Sequence, residues 1–157
     1  MYMRKEIIIF TAVYLVVIEG LVLFLFSLQE ESIKESIIVF MTGSIVLLIA
    51  LIIAKILKRI IHKHRPPKKL EIFEPFDKYA FPSGHATGLS TVTFFIFERN
   101  IFLGIISFFI SLFIVVARMK AKVHDYVDII GGIILGVSVT YLISPFIKSM
   151  VSIYFIN

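Results

Sequence analysis

The stretch SIIVFMTGSIVLLIALIIAKIL, residues 36–57, carries one charge, Lys55, in 22 positions. A helix of about 20 mostly apolar residues crosses the hydrocarbon core of a bilayer, so this run reads as a membrane span. Four other runs follow the same logic: 6–28, interrupted by Glu19 and Gly20; 84–98; 100–117; and 124–147, which passes through Gly131, Gly132 and Gly136. Small residues at that spacing let helix backbones approach closely within a bilayer. The run 84–98 is short, roughly 22 Å of helix. It spans only if its first turn begins below the membrane surface, as it would around a sunken pocket. Pro145 is expected to end or kink the last helix. The expected fold class is therefore all-α: an integral membrane helical bundle with about five transmembrane helices.

Composition agrees. The 157-residue chain is 59% hydrophobic, with a mean hydropathy of +0.98. That exceeds what a soluble globule carries. Its length suits a single domain, 1–157. The absence of cysteine excludes disulfides, thiolate zinc sites and a cysteine nucleophile. The net charge of +5 gathers at the ends of apolar runs, a pattern that sets topology and meets anionic headgroups rather than nucleic acid. A phosphate-bearing substrate is a second use for it. After MYMRKE, the first run is too long for a signal-peptide core and no cleavage site follows, so it is expected to be a retained helix.

Five crossings put the N-terminus, the 58–83 region and the 118–123 region on one face, and the unusual residues gather there. The helix from residue 36 is expected to continue as a basic extension to about His64. If it reached Arg65, Lys58 and Arg65 would lie two turns apart on one stripe, although Pro66 turns the chain there. In PSGH, 82–85, Ser83 is placed to cap a helix and Gly84 to let a ligand approach the backbone. The amides of that first turn would bind an anion. Arg118 follows, then His124 and Asp128, which are four apart and face the same way on a helix. The carboxylate can hold one imidazole nitrogen and leave the other for a substrate. Three cations, a helix N-terminus, two histidines and a carboxylate suit phosphoryl transfer without a metal. The cations neutralise phosphate oxygens, one histidine attacks phosphorus and the other protonates the leaving oxygen.

Taken singly, these blocks are ordinary: a topology signal, a helix start, an i,i+4 pair. In order on one face they form a constellation. Other polar residues are more simply explained. Glu19 inside the first run either has a function or hydrogen-bonds a neighbouring helix. His62 and His64 are expected to face solvent or headgroups. Glu71, Glu74 and Asp77 read as a solvated loop rather than a metal site. Asp125 points about 100° away from His124 on a helix. Phe94, Phe95, Phe108 and Phe109 face lipid or pack inside.

The three blocks, KRIIHKHRP at 58–66, PSGH at 82–85 and ARMKAKVHDYVD at 117–128, resemble the signature of the type 2 phosphatidic acid phosphatase superfamily. That signature is K-x6-R-P, P-S-G-H and S-R-x5-H-x3-D. Every charged or imidazole position matches, and the core of the resemblance is 36–147. One position departs, Ala117 in place of the usual serine, which removes a possible phosphate hydrogen bond. The resemblance implies that His124 is the nucleophile that becomes phosphohistidine. It makes Asp128 the residue that orients His124, and His85 the general acid. It gives Lys58, Arg65, Ser83, Gly84 and Arg118 the phosphoryl oxygens, with no metal or other cofactor.

The expected activity is hydrolysis of a lipid phosphate or diphosphate in the membrane. Polyprenyl diphosphate comes first, then phosphatidate or phosphatidylglycerophosphate. A headgroup phosphotransferase, or a non-catalytic lipid-phosphate binding or transport protein, are the alternatives; the oligomeric state is not readable. The charge pattern sets one conflict. Leaving out Lys58, Arg65 and Arg118, ten Lys or Arg lie on the active-site face and three on the other. The positive-inside rule then makes that face cytoplasmic, whereas most membrane members of the resembling family work on the outer face.

Overall fold

A computed structural model describes residues 19–64, 79–120 and 124–156. These form five helices: α1 (Glu19–Ser27), α2 (Ile33–Ile61), α3 (Gly84–Phe97), α4 (Ile101–Lys120) and α5 (Tyr126–Ile156). Three are long and apolar enough to cross a membrane: α2, α4, and α5 over Tyr126–Tyr154. Helix α3 has 14 residues, about 21 Å, the shortness anticipated from its sequence.

Local chemistry sets the helix ends. Ser32 caps α2, its Oγ accepting from the Glu35 amide at 3.1 Å. At the other end His62 adopts a left-handed backbone, φ 54°, and donates its N–H to the Lys58 carbonyl, one of the ways a helix stops. The expected extension to His64 is therefore not formed. The backbone beyond is engaged elsewhere: Lys63 O accepts from Ala80 N at 2.8 Å, and His64 pairs antiparallel with Tyr79. The helix that would carry Lys58 and Arg65 on one stripe ends at Ile61. In α5, Pro145 lies inside the helix, which continues to Ile156, so the expected end at Pro145 is also not found. Membrane-spanning helices tolerate such an internal proline.

Helix α3 is the centre of the bundle and packs against each of the other four. Its buried positions are Ala86, Thr87, Gly88, Leu89, Thr91, Val92, Phe95 and Ile96. The threonines can be buried because their hydroxyls bond one turn back: Thr87 to Ser83 O at 3.0 Å and Thr91 to Thr87 O at 2.8 Å. One apolar cluster joins Leu23 and Phe26 of α1, Val39 of α2 and Phe95 of α3. A second joins Val46 and Ala50 of α2 to Val139 of α5. The phenylalanine runs divide: Phe95 is 1% exposed, whereas Phe109 is 63% exposed and faces outward.

The glycines of α5 act as their spacing suggests. A Cβ on Gly132 would lie 2.6 Å from Ser83 O and 2.8 Å from the Ala86 Cβ, and one on Gly136 would lie 2.5 Å from Thr87 O. Only bare backbone lets α3 come this near. That approach holds the first turn of α3 against the first turns of α5.

Candidate active site

The sequence-selected residues converge on this end of the bundle. Lys58 occupies the last turn of α2, Ser83 caps α3, Gly84 and His85 open it, and Arg118 is in the last turn of α4. His124 and Asp128 stand at the start of α5. Lys58, Ser83, Arg118, His124 and Asp128 are all buried, at 7% exposure or less. Cations and carboxylates are seldom buried unless partnered, so their concentration at one end marks the site. Arg65 lies outside the described residues, as do Glu71, Glu74 and Asp77 and the Glu19 side chain.

Backbone bonds stitch the blocks together. Ser83 N donates to Asp128 O at 2.8 Å, and Ala80 N donates to Lys63 O at 2.8 Å. The Phe81 ring fills the space a side chain at Gly131 would need. Ser83 caps α3 as expected, its Oγ accepting from Ala86 N at 3.4 Å. The partial positive charge of the α3 N-terminus therefore opens beside Asp128 and His124. A Cβ on Gly84 would touch nothing within 4 Å, so the backbone there is approachable.

His124 and Asp128 meet, though not by the expected route. Helix α5 starts only at Tyr126, two residues after His124. The chain nevertheless brings His124 Nδ1 to 3.6 Å from Asp128 Oδ2, with the two side chains 1% and 0% exposed. Asp125 precedes the helix and engages Asp128. Its Oδ1 accepts from Asp128 N at 3.0 Å, while its own N–H donates to Asp128 Oδ2 at 3.1 Å. This reciprocal pair is a capping box with aspartate at both positions.

Lys63 completes the cluster. Its Nζ donates to Asp125 Oδ2 and to Asp128 Oδ1, each at 2.7 Å. Its burial opposes the charge, but the hydrogen bonds to Asp125 and Asp128 and the charge of both carboxylates outweigh this and hold its pKa above the ordinary value. From the sequence Asp125 is set aside as facing elsewhere, and Lys63 is only one of the ten charges counted on that face. The D-x-x-D spacing of Asp125 and Asp128 could have revealed the capping box. Nothing in the sequence marks Lys63, because its reach depends on α2 stopping at Ile61.

The arrangement can neutralise and orient a phosphate and hold an imidazole in one orientation beside it. A family model for the PAP2 superfamily matches residues 37–150. No curated protein and no solved structure matches.

Proposed function

The chain belongs to the PAP2 superfamily, generally metal-independent phosphatases acting on lipid phosphates, and from that premise we propose that it hydrolyses a polyprenyl diphosphate through phosphohistidine. The observation that carries the reading is the buried His124–Asp128 pair beside the capped N-terminus of α3. In this reading His124 Nε2 attacks the terminal phosphorus while Asp128 stabilises the charge gained at Nδ1. The P–O bond to the leaving phosphate breaks, and His85 gives that oxygen its proton. Water, deprotonated by His85, then attacks phosphohistidine and releases inorganic phosphate. Lys58, Arg65, Arg118, Ser83 and the Gly84 amide hold the phosphoryl oxygens, where preorganised charge does most of the catalysis.

A second feature supports a lipid substrate. A cleft of about 470 Å³ runs between α3, α4 and α5, lined by Ala86, Phe94, Leu112, Val115 and Val137 among others. It begins at Ala86, next to His85. A substrate with its diphosphate at the α3 N-terminus would lay its hydrocarbon chain there. Five spans, with the phosphate site on the cytoplasmic side that the charge asymmetry favours, complete the proposal.

The test is phosphate release by the detergent-purified protein from polyprenyl diphosphate and from phosphatidate in excess EDTA. Release from the diphosphate that His124→Ala abolishes supports the reading. Transfer of the phosphoryl group to an added alcohol makes the protein a phosphotransferase. Binding with no turnover of any lipid phosphate makes it a binding protein.

A further inference from the structure

Asp128 is held by more than His124. Both carboxylate oxygens are engaged, Oδ1 by Lys63 Nζ at 2.7 Å and Oδ2 by Asp125 N at 3.1 Å, and the group is fully buried. Lys63 is held in turn by Asp125 Oδ2 at 2.7 Å. Its backbone is pinned by Ala80 N, and the residue after it pairs with Tyr79. The ammonium therefore reaches Asp128 from a fixed point on the chain. Neither Lys63 nor Asp125 belongs to the three-block signature.

We propose that Lys63, clamped by Asp125, is a positioning residue that fixes the Asp128 carboxylate and offsets its charge beside His124. This rests on the proposed role of His124 as nucleophile. An uncompensated buried carboxylate would hold a proton on the neighbouring imidazole and keep it from attacking phosphorus. The Lys63 charge weakens that pull while leaving the carboxylate in place. Among the described residues, the other charged or titratable groups at this end include Lys58, Arg59, His62 and His64 around the end of α2, Tyr79 and His85 before and in α3, Arg118 and Lys120 at the end of α4, and Asp125 and Tyr126 at the start of α5.

The experiment compares Lys63→Met, Lys63→Gln and Lys63→Arg in the full chain. Two readouts are used: steady-state kinetics across pH with a lipid diphosphate, and ¹⁵N-histidine NMR titration without substrate. The chain has four histidines, and His124→Asn assigns the signal. In Lys63→Met the His124 pKa rises and the acidic limb of kcat moves to higher pH. Its kcat falls by up to about 10²-fold, the cost of a misplaced catalytic group, with KM little changed. Lys63→Arg recovers most of kcat and returns the limb. Lys63→Gln keeps a donor and loses the charge, so it shifts His124 in the same direction and serves if Lys63→Met does not fold. A rise in KM with unchanged kcat would make Lys63 a substrate ligand and overturn the proposal, as would an unmoved His124 titration. The titration separates the two readings. A shifted His124 in a protein that releases phosphate from no lipid keeps the role of Lys63 and rejects the phosphatase.

Discussion

The Ser83 backbone N–H donates to the Asp128 carbonyl at 2.8 Å. This bond joins the start of α3, where an anion is favoured, to the start of α5, where the His124–Asp128 pair stands. A phosphate drawn to the α3 N-terminus would thereby meet the imidazole. Ser83 also caps α3 through its hydroxyl. Ser83→Ala is expected to cost about 1 kcal/mol, read as a lower melting temperature in detergent. Ser83→Asp keeps a capping oxygen but adds a negative charge at the proposed phosphate site, so it should keep more of the stability and lose activity.

Asp128→Asn should preserve the fold better than Asp128→Ala, because its amide oxygen still accepts one of the two hydrogen bonds the carboxylate takes. Its effect on turnover should nonetheless be large, since an amide cannot stabilise the imidazolium. A loss on the order of 10⁴-fold in kcat is expected by analogy with serine-protease triads. Steady-state kinetics at saturating lipid diphosphate checks it.

Lys63 sets an alkaline limit. Its pKa is raised above 10.5 by its carboxylate partners. A raised folded-state pKa gives stability that is fully present below the unfolded value and is lost as pH climbs through the folded one. The difference in melting temperature between wild type and Lys63→Met should be constant up to about pH 10 and close above 10.5. Lys63→Arg should retain the difference at high pH, because arginine stays charged.

Gly136 and Gly20 should behave oppositely. At Gly136 an added Cβ meets the α3 backbone, whereas at Gly20 it meets nothing within 4 Å. Gly136→Val is expected to destabilise by about 1–3 kcal/mol, the usual cost of overpacking, and to disturb the site by pushing α3 from α5. Gly20→Ala is expected to be neutral or stabilising by up to about 1 kcal/mol, since it lies within α1. Thermal melts of the two variants check the contrast.

A bulky residue in the cleft should discriminate by chain length. Val137 lines it between α3 and α5. Val137→Trp should lower kcat/KM for a long-chain polyprenyl diphosphate by about tenfold, or 1.4 kcal/mol. A short water-soluble diphosphate, which does not need the cleft, should be hydrolysed as before.

Much of this architecture is legible in the residues. Apolar run length marks the helices, the glycines of α5 mark its close approach to α3, and Ser83 announces the α3 cap. Apart from Arg65, which lies outside the described residues, the three blocks select side chains that the fold gathers at one end. What escapes is what depends on chain direction rather than spacing. The left-handed turn at His62 cannot be read from a basic helical pattern, and without it Lys63 has no path to Asp128. Asp125 was misplaced because helical geometry was assumed one turn too early, where the chain is capping. Pro145 does not stop α5, which runs on to Ile156 through an exposed stretch; membrane-spanning helices tolerate an internal proline that would end most others.

Transfer of the phosphoryl group to His124 can be observed directly. The most direct measurement mixes the protein with a lipid diphosphate in excess EDTA, quenches at alkaline pH within the first turnovers, and locates phosphate by peptide mass spectrometry. Phosphate is expected on His124, formed without metal, cleared on further incubation and absent in His124→Ala. Turnover that leaves His124 unmodified, or that persists in His124→Ala, would contradict it.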